Sequence, residues 1–166
     1  MDKPLDKNFK KSLDGLYGYL MEIVELYEKI LPVVKSEFDA INADDIYSLN
    51  ESLKVQQALL HKTKNFDKTI SSYTAELDID ADNLTALIIQ LPEEQQFRFY
   101  SVLGRFTAAI QEISFYKEKC RSMLQTKLHN IDRSLAEQKG IVENETYEKD
   151  ASKAQQWPSK SFETIV

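Results

Sequence analysis

The chain of 166 residues carries a formal net charge of −6, with four glycines, four prolines and one cysteine. This length predicts one domain, and the scarcity of glycine and proline beside abundant leucine, lysine and glutamate predicts an all-helical fold. The charge argues against a nucleic-acid partner, because no basic stripe could neutralise phosphates, while the lone cysteine excludes an intramolecular disulfide and fits a reducing cytoplasm.

The amino-terminal residues are polar and mixed in charge, without the apolar segment of a secretory signal. No uninterrupted apolar run approaches the roughly 18 residues that a membrane span needs. We therefore expect a soluble, cytoplasmic protein that does not insert stably into membranes.

Apolar residues at steps of three and four predict a first long helix over residues 13–42. Pro32 lies inside this helix, lacks a backbone donor and clashes with the carbonyl four residues earlier, so we expect a kink near Glu28 and Pro32. The helix should continue past the kink, because the apolar pattern resumes in phase. The positions that form this pattern are Leu13, Leu16, Leu20, Ile23, Tyr27, Ile30, Val34, Phe38 and Ile41.

An acidic break at residues 42–45 separates the first helix from the second. We expect Asp44 to cap the second helix and to place negative charge at its amino end. Apolar residues then keep a heptad spacing that predicts a single helix over residues 46–77. Polar residues such as Gln56 and Thr63 share its seam, which predicts a helix that packs well at its start and more loosely toward its end.

A second acidic break, residues 78–83, resembles the opening of a calcium loop. It lacks the glycine and glutamate that such a loop needs at its sixth and twelfth positions, which here are Asn83 and Ile89. We therefore interpret it as a turn before a short helix over residues 84–91. Pro92 ends that helix and is well placed to begin the next, with Glu93 and Glu94 at the positive end of the helix dipole.

The longest predicted helix spans residues 93–139 and contains no proline and a single glycine, Gly104. At 1.5 Å per residue it would be about 70 Å long, so other helices of comparable length must lie along it. We predict an elongated antiparallel bundle of three long helices with coiled-coil-like packing. The apolar stripe of the longest helix consists of Phe99, Leu103, Phe106, Ile110, Ile113, Cys120, Leu124, Leu128, Ile131 and Leu135.

The composition changes after Gly140, a residue type that commonly ends helices. Residues 140–166 have no apolar periodicity but contain scattered apolar residues, including the only tryptophan. We predict a helical domain over residues 1–139 and a flexible partner-binding tail over residues 140–166, whose composition suits folding against a partner. An alternative is that the tail packs on the bundle as an ordered strap.

Residues that could carry chemistry are sparse. His61 and His129 lie on different predicted helices without neighbouring metal ligands, and the position of Cys120 in the apolar stripe predicts a core residue. Phosphate loops and nucleophile motifs are missing from the sequence. We therefore expect a protein that is not an enzyme and that uses no metal or cofactor.

Three segments of the chain resemble the FlgN family of bacterial flagellar export chaperones. The segment 44–49 (Asp-Asp-Ile-Tyr-Ser-Leu), followed by Leu53 and Lys62, is similar to the family's acidic turn and helix start. The leucines within 123–135 are similar to its Leu-Leu and later leucine pattern. The tail segments around Tyr147 and at 161–165 are similar to its carboxyl-terminal motifs, although Ala151 stands where the family has a glycine.

This resemblance implies a cytoplasmic type III export chaperone that binds hook-associated proteins of the hook–filament junction and delivers them to the flagellar export gate. It makes Tyr147 the candidate for docking to the gate. For cargo we predict the distal tail residues together with Leu128, Ile131 and Leu135, whose alternative role is plain bundle core. The distal tail residues are Trp157, Phe162, Ile165 and Val166.

Three other functions remain open at this point. A structural coiled-coil or tethering protein would oligomerise and would not need its tail. A chaperone for a different flagellar or secretion substrate would share every feature described, because an apolar stripe does not encode partner identity. A signalling module phosphorylated on His129 would lose its activity when that histidine is replaced.

Overall fold

The computed structural model describes residues 6–139, and every regular element in that range is a helix. This confirms the all-α prediction. The predicted tail, residues 140–166, lies outside the described residues. The helices are α1 (Lys7–Asn42), α2 (Ile46–His61), α3 (Phe66–Glu76), α4 (Leu84–Ile89) and α5 (Glu93–Lys139).

The two longest helices, α1 and α5, pack side by side and run in the same direction. Their ion pairs advance together along both helices, in the order Asp14–Arg98, Glu28–Arg105 and Lys35–Glu112. The intervening chain crosses back from one end of the bundle to the other. The two longest helices are therefore parallel to each other.

Helices α2 and α3 run antiparallel to α1. As the chain advances through α2 and α3, its contacts move toward the amino end of α1. Gln56 donates to Glu37, Phe66 stacks on Tyr19, and Glu76 accepts a hydrogen bond from Ser12. A polypeptide that passes three times along the same axis must place its first and third passes in parallel. The order of the passes is therefore up, down and up.

The second predicted helix, 46–77, is wrong as a single element, because residues 62–65 form a turn between α2 and α3. Continuation of the helix would leave Phe66 beside the seam. The break instead buries Phe66 in the core, where its ring stacks against Phe106 at 6.3 Å between centroids. Burial of an aromatic ring offsets the few backbone bonds lost at the turn. The expectation of a well-packed start is also wrong, since Ile46 is exposed.

The core is one cluster of side chains that all three passes supply. Apolar residues line this cluster along most of the length of α1, because their three- and four-residue steps hold them on one helix face. The short α4 contributes Leu84, Leu87 and Ile88 to the same cluster. From α5 the cluster takes Phe99, Val102, Phe106, Ala109 and Ile113.

The turns differ in detail from the prediction. Asp45, and not Asp44, caps α2: its carboxylate accepts hydrogen bonds from the backbone amide and hydroxyl of Ser48. Asp44 has a φ of 56° and forms the left-handed turn that ends α1. Helix α1 runs without interruption through Pro32, as expected, and the size of the bend there stays a prediction.

The helices of residues 6–139 include none that is long and apolar enough to cross a membrane. In the same range, no three histidine, cysteine, aspartate or glutamate side chains are grouped so that they could hold a metal ion.

Candidate interaction surface

A buried polar network marks one end of the core, which we call the distal end. Lys117 of α5 donates to both carboxylate oxygens of Glu37 on α1, at 3.1 and 2.8 Å, and to the side-chain oxygen of Gln56 at 3.1 Å. Gln56 donates in turn to Glu37 at 2.6 Å. The network joins all three passes of the chain. Charged and polar groups that are paired in this way favour one helix alignment over others.

Sequence reasoning missed this network, although a signal for it exists. Glu37 follows Val34 by three residues and precedes Ile41 by four, so the spacing itself places Glu37 on the core face of α1. A charged residue at such a position needs a partner on a neighbouring helix.

Cys120 lies just beyond the network and is buried, which confirms the prediction that it is a core residue. Burial, with a smaller contribution from the Glu37 carboxylate, raises the pKa of the Cys120 thiol to about 12. At neutral pH the group is therefore a thiol, which is a poor nucleophile and a poor metal ligand.

Cys120 is also the last buried side chain among the described residues. Helix α1 ends at Asn42, and the turn that follows reaches α5 through an ion pair between Asp44 and Lys127. Helix α5 continues for twelve residues after Lys127. At 1.5 Å per residue, this extension carries α5 about 18 Å past the end of α1.

The extension keeps the apolar spacing of the core, but no helix of the described residues covers it. Leu128 is 41% exposed, Ile131 is 54% exposed and Leu135 is 44% exposed. We call these three residues the distal stripe. Within the described residues they are not part of the buried core. Exposed apolar stripes of this kind mark interaction sites in soluble proteins.

Two further apolar side chains are exposed at the same end. Ile46 and Tyr47, in the first turn of α2, are more than two-thirds exposed and follow the Asp44 turn that is paired with Lys127. The predicted good packing at the start of the second helix fails here because α2 begins where the core has already ended.

The family model described as FlgN protein matches residues 11–155. The chain belongs to the FlgN family. This family comprises flagellar export chaperones. Comparison with curated proteins and with solved structures gave no match.

The FlgN match covers the whole described bundle from Lys11 onward, including the distal stripe, and extends into the tail through Tyr147. It ends before the distal tail residues Trp157, Phe162, Ile165 and Val166. These four residues and Tyr147 lie outside the described residues, so their predicted roles stay predictions. The match confirms the resemblance to the FlgN family that the sequence showed.

His129, the candidate for a phosphorylated histidine, lies exposed on the extension of α5 in this FlgN-family chain. Its side chain does not pack into the core. The reason is the same as for the distal stripe: the extension continues beyond the helices that would have covered it.

Proposed function

We propose that this FlgN-family chain is a cytoplasmic chaperone for hook-associated proteins of the hook–filament junction. It holds them unassembled by covering an amphipathic terminal helix and delivers them to the flagellar type III export gate. The observation that supports this proposal best is the distal stripe, an apolar helix face that the rest of the described bundle leaves uncovered.

The energetics suit reversible binding. Full burial of a leucine or isoleucine side chain contributes about 1.5–3 kcal/mol, and each residue of the distal stripe still has roughly half of that available. A helix with its own apolar stripe could lie along Leu128, Ile131 and Leu135, the helix-in-groove mode of peptide recognition. Binding by these side chains hides the cargo surface that would otherwise self-assemble.

The extension of α5, residues 128–139, is balanced in charge. Arg133 and Lys139 offset Asp132 and Glu137, and Arg133 pairs with Glu137. Cargo binding along the distal stripe therefore depends on apolar burial rather than on net charge.

The tail completes the proposed mechanism. Tyr147, which the FlgN match includes, is the candidate for contact with the export gate. Trp157, Phe162, Ile165 and Val166 are candidates for additional cargo contacts. No chemical step is needed, because a chaperone that binds the unassembled cargo lowers its free concentration by mass action. Release requires only a docking site that competes for the same residues.

Replacement of Leu128, Ile131 and Leu135 together by glutamate tests the proposal. The variant and the wild type are titrated with a purified hook-junction protein by isothermal calorimetry. We expect binding to fall at least tenfold while helix content and melting temperature stay unchanged. Ile89→Glu is the control, since Ile89 is also exposed, at 63%, but lies near the start of α5, away from the distal end.

The possible outcomes separate the alternatives. Loss of binding with an intact fold supports the distal stripe as the cargo surface. Unchanged binding in the triple variant contradicts it. Equal loss in the Ile89→Glu variant would mean that any added negative charge weakens the complex, which would also contradict a specific role for the stripe.

A further inference from the structure

A cleft of about 330 Å³ opens between α3, the acidic turn 78–83 and α4. Ligand sites commonly have volumes of roughly 300–1,000 Å³, so the cleft has room for at least one aromatic or branched side chain. Two apolar residues that line it, Ile70 and Ala81, are only half-buried, which leaves part of its floor open to solvent. The floor consists of Leu20, Phe66, Ile70, Ala81, Leu84 and Leu87.

The rim of this cleft carries only negative charge, and we therefore call the site the acidic cleft. Its charged lining residues are Asp67, in the first turn of α3, and Asp82, in the turn before α4. Both aspartates are exposed, and neither forms an ion pair with another residue of the range 6–139. Lys68, which is next to Asp67 in the sequence, lines a different groove of α3 together with Ser72.

The sequence around the acidic cleft reinforces its charge. Residues 69–97 contain six acidic side chains and no lysine or arginine, so this segment alone carries the net charge of −6 that the whole chain has. Removal of these six from the 27 acidic residues of the chain leaves 21, which equals the number of lysines and arginines. The net negative charge of the protein is therefore concentrated in the segment that contains most of α3, the acidic turn and α4.

An apolar floor below an acidic rim is complementary to an apolar side chain flanked by cations. We propose that the acidic cleft is a docking site for a basic segment of a partner protein. One aromatic or branched side chain of that segment lies on the floor, and lysine or arginine side chains lie beside Asp67 and Asp82. Burial of the apolar side chain supplies affinity, while the charges speed association and select against acidic segments.

The acidic cleft is distinct from the distal stripe and lies toward the other end of the bundle. Its floor residue Phe66 stacks on Phe106 with 6.3 Å between the ring centroids. Leu128 follows Phe106 by 22 residues, which corresponds to about 33 Å along α5. A segment in the acidic cleft therefore leaves the distal stripe free, and its binding does not depend on the proposed cargo function.

A nuclear magnetic resonance titration of the isotope-labelled full chain with two pentapeptides tests the proposal. The probe peptide carries a tryptophan between two pairs of lysines, and its counterpart carries the same tryptophan between two pairs of glutamates. We expect the lysine peptide to shift the amide signals of Ile70, Ser71 and Ala81, and the glutamate peptide to leave them in place. A lysine peptide that leaves these signals unchanged at millimolar concentration overturns the proposal, and so does equal binding of the two peptides.

Two neighbouring serines of α3 provide a blocking variant and its matched control. Ser71 lines the acidic cleft, Ser72 lines the other groove, and both are exposed. The ring introduced by Ser71→Trp occupies the cleft, so binding of the lysine peptide should fall about tenfold or more. Ser72→Trp should bind as the wild type does. Normal binding by Ser71→Trp, or an equal loss in Ser72→Trp, contradicts the proposed site.

Removal of the rim charges tests the site without filling it. The double variant Asp67→Asn, Asp82→Asn should bind the lysine peptide roughly fivefold more weakly at low salt, and its affinity should depend less on salt. The double variant Asp78→Asn, Asp80→Asn is the matched control, because it removes the same amount of charge from the acidic turn at residues that do not line the cleft. Equal losses in the two double variants would show attraction to general negative charge and would overturn the proposal.

Discussion

Lys117 and Glu37 form the one ion pair of the described chain in which the carboxylate is almost completely buried. The Lys117 ammonium lies 2.8 Å from one carboxylate oxygen of Glu37, whose side chain is 4% exposed. The two residues come from the parallel helices α1 and α5, so the pair sets the alignment of the two longest elements. It also lies at the point where the core ends and the exposed extension of α5 begins.

Lys117→Met should destabilise the fold by about 3 kcal/mol, because it leaves the Glu37 carboxylate buried without its cation. Urea denaturation followed by circular dichroism measures the change. Lys35→Met is the matched control on the same two helices, since Lys35 and Glu112 are 3.3 Å apart but both largely exposed. The control should cost less than about 1 kcal/mol. Equal costs for the two variants would contradict a special role for the buried pair.

Asp78→Gly should stabilise the protein by roughly 0.5–1 kcal/mol. Asp78 has a φ of 55°, in the left-handed region where a side chain is strained and glycine is not. Asp44→Gly removes the same strain but also the ion pair with Lys127, so its gain should be smaller. Melting temperatures of both variants check this order, and a larger gain for Asp44→Gly would contradict it.

The stability of the protein should fall as pH rises from about 9 to about 12, in part because of Cys120. The pKa of this thiol is 9.0 ordinarily and about 12 in the fold, so the unfolded chain loses its proton first. Deprotonation of the unfolded state then lowers the free energy of unfolding by about 1.4 kcal/mol per pH unit. Below pH 9 this contribution is fully present. The Cys120→Ala variant should show a shallower decline over the same range, and an identical slope would refute the assignment.

Termination of the chain after Gly140 should leave the melting temperature nearly unchanged, abolish binding to the export gate and weaken binding to cargo, since the distal stripe is retained. All buried side chains of the described residues lie between Leu13 and Cys120, so the core does not depend on the extension of α5. Calorimetric melting and titration with cargo measure the two properties. A large drop in melting temperature would mean that the tail is a structural strap, whereas full affinity for cargo and gate would refute its binding role.

A shorter truncation separates the two proposed functions of the tail. Termination after Gln155 keeps the whole segment that matches the FlgN family, including Tyr147, and removes the four distal apolar residues. We expect this variant to bind the export gate and to bind cargo more weakly. Tyr147→Ala in the full chain should have the opposite effect. If both changes affected the same partner, the division of roles along the tail would be wrong.

Apolar periodicity predicted the helices best where the three- and four-residue steps continue without a break. The apolar steps of α1 and α5 hold over many turns, because a stripe at three- and four-residue steps needs only local backbone geometry. Helix α5 has the predicted bounds, whereas α1 begins at Lys7, six residues before the predicted start. The break between α2 and α3 was missed, because its cause is the space available to Phe66 between Tyr19 and Phe106. Those residues lie far from Phe66 in the sequence.

What the sequence determined by itself, therefore, is which residues share a helix face. Leu103 and Leu128 both belong to the apolar stripe of α5, yet Leu103 packs against the core while Leu128 is exposed. Only the tertiary structure decided this difference, since it depends on where α1 ends along α5 and on the direction in which the two helices run. An apolar helix stripe is buried where another helix packs against it and exposed to a partner where none does. Which of the two occurs depends on packing between segments that are distant in the sequence.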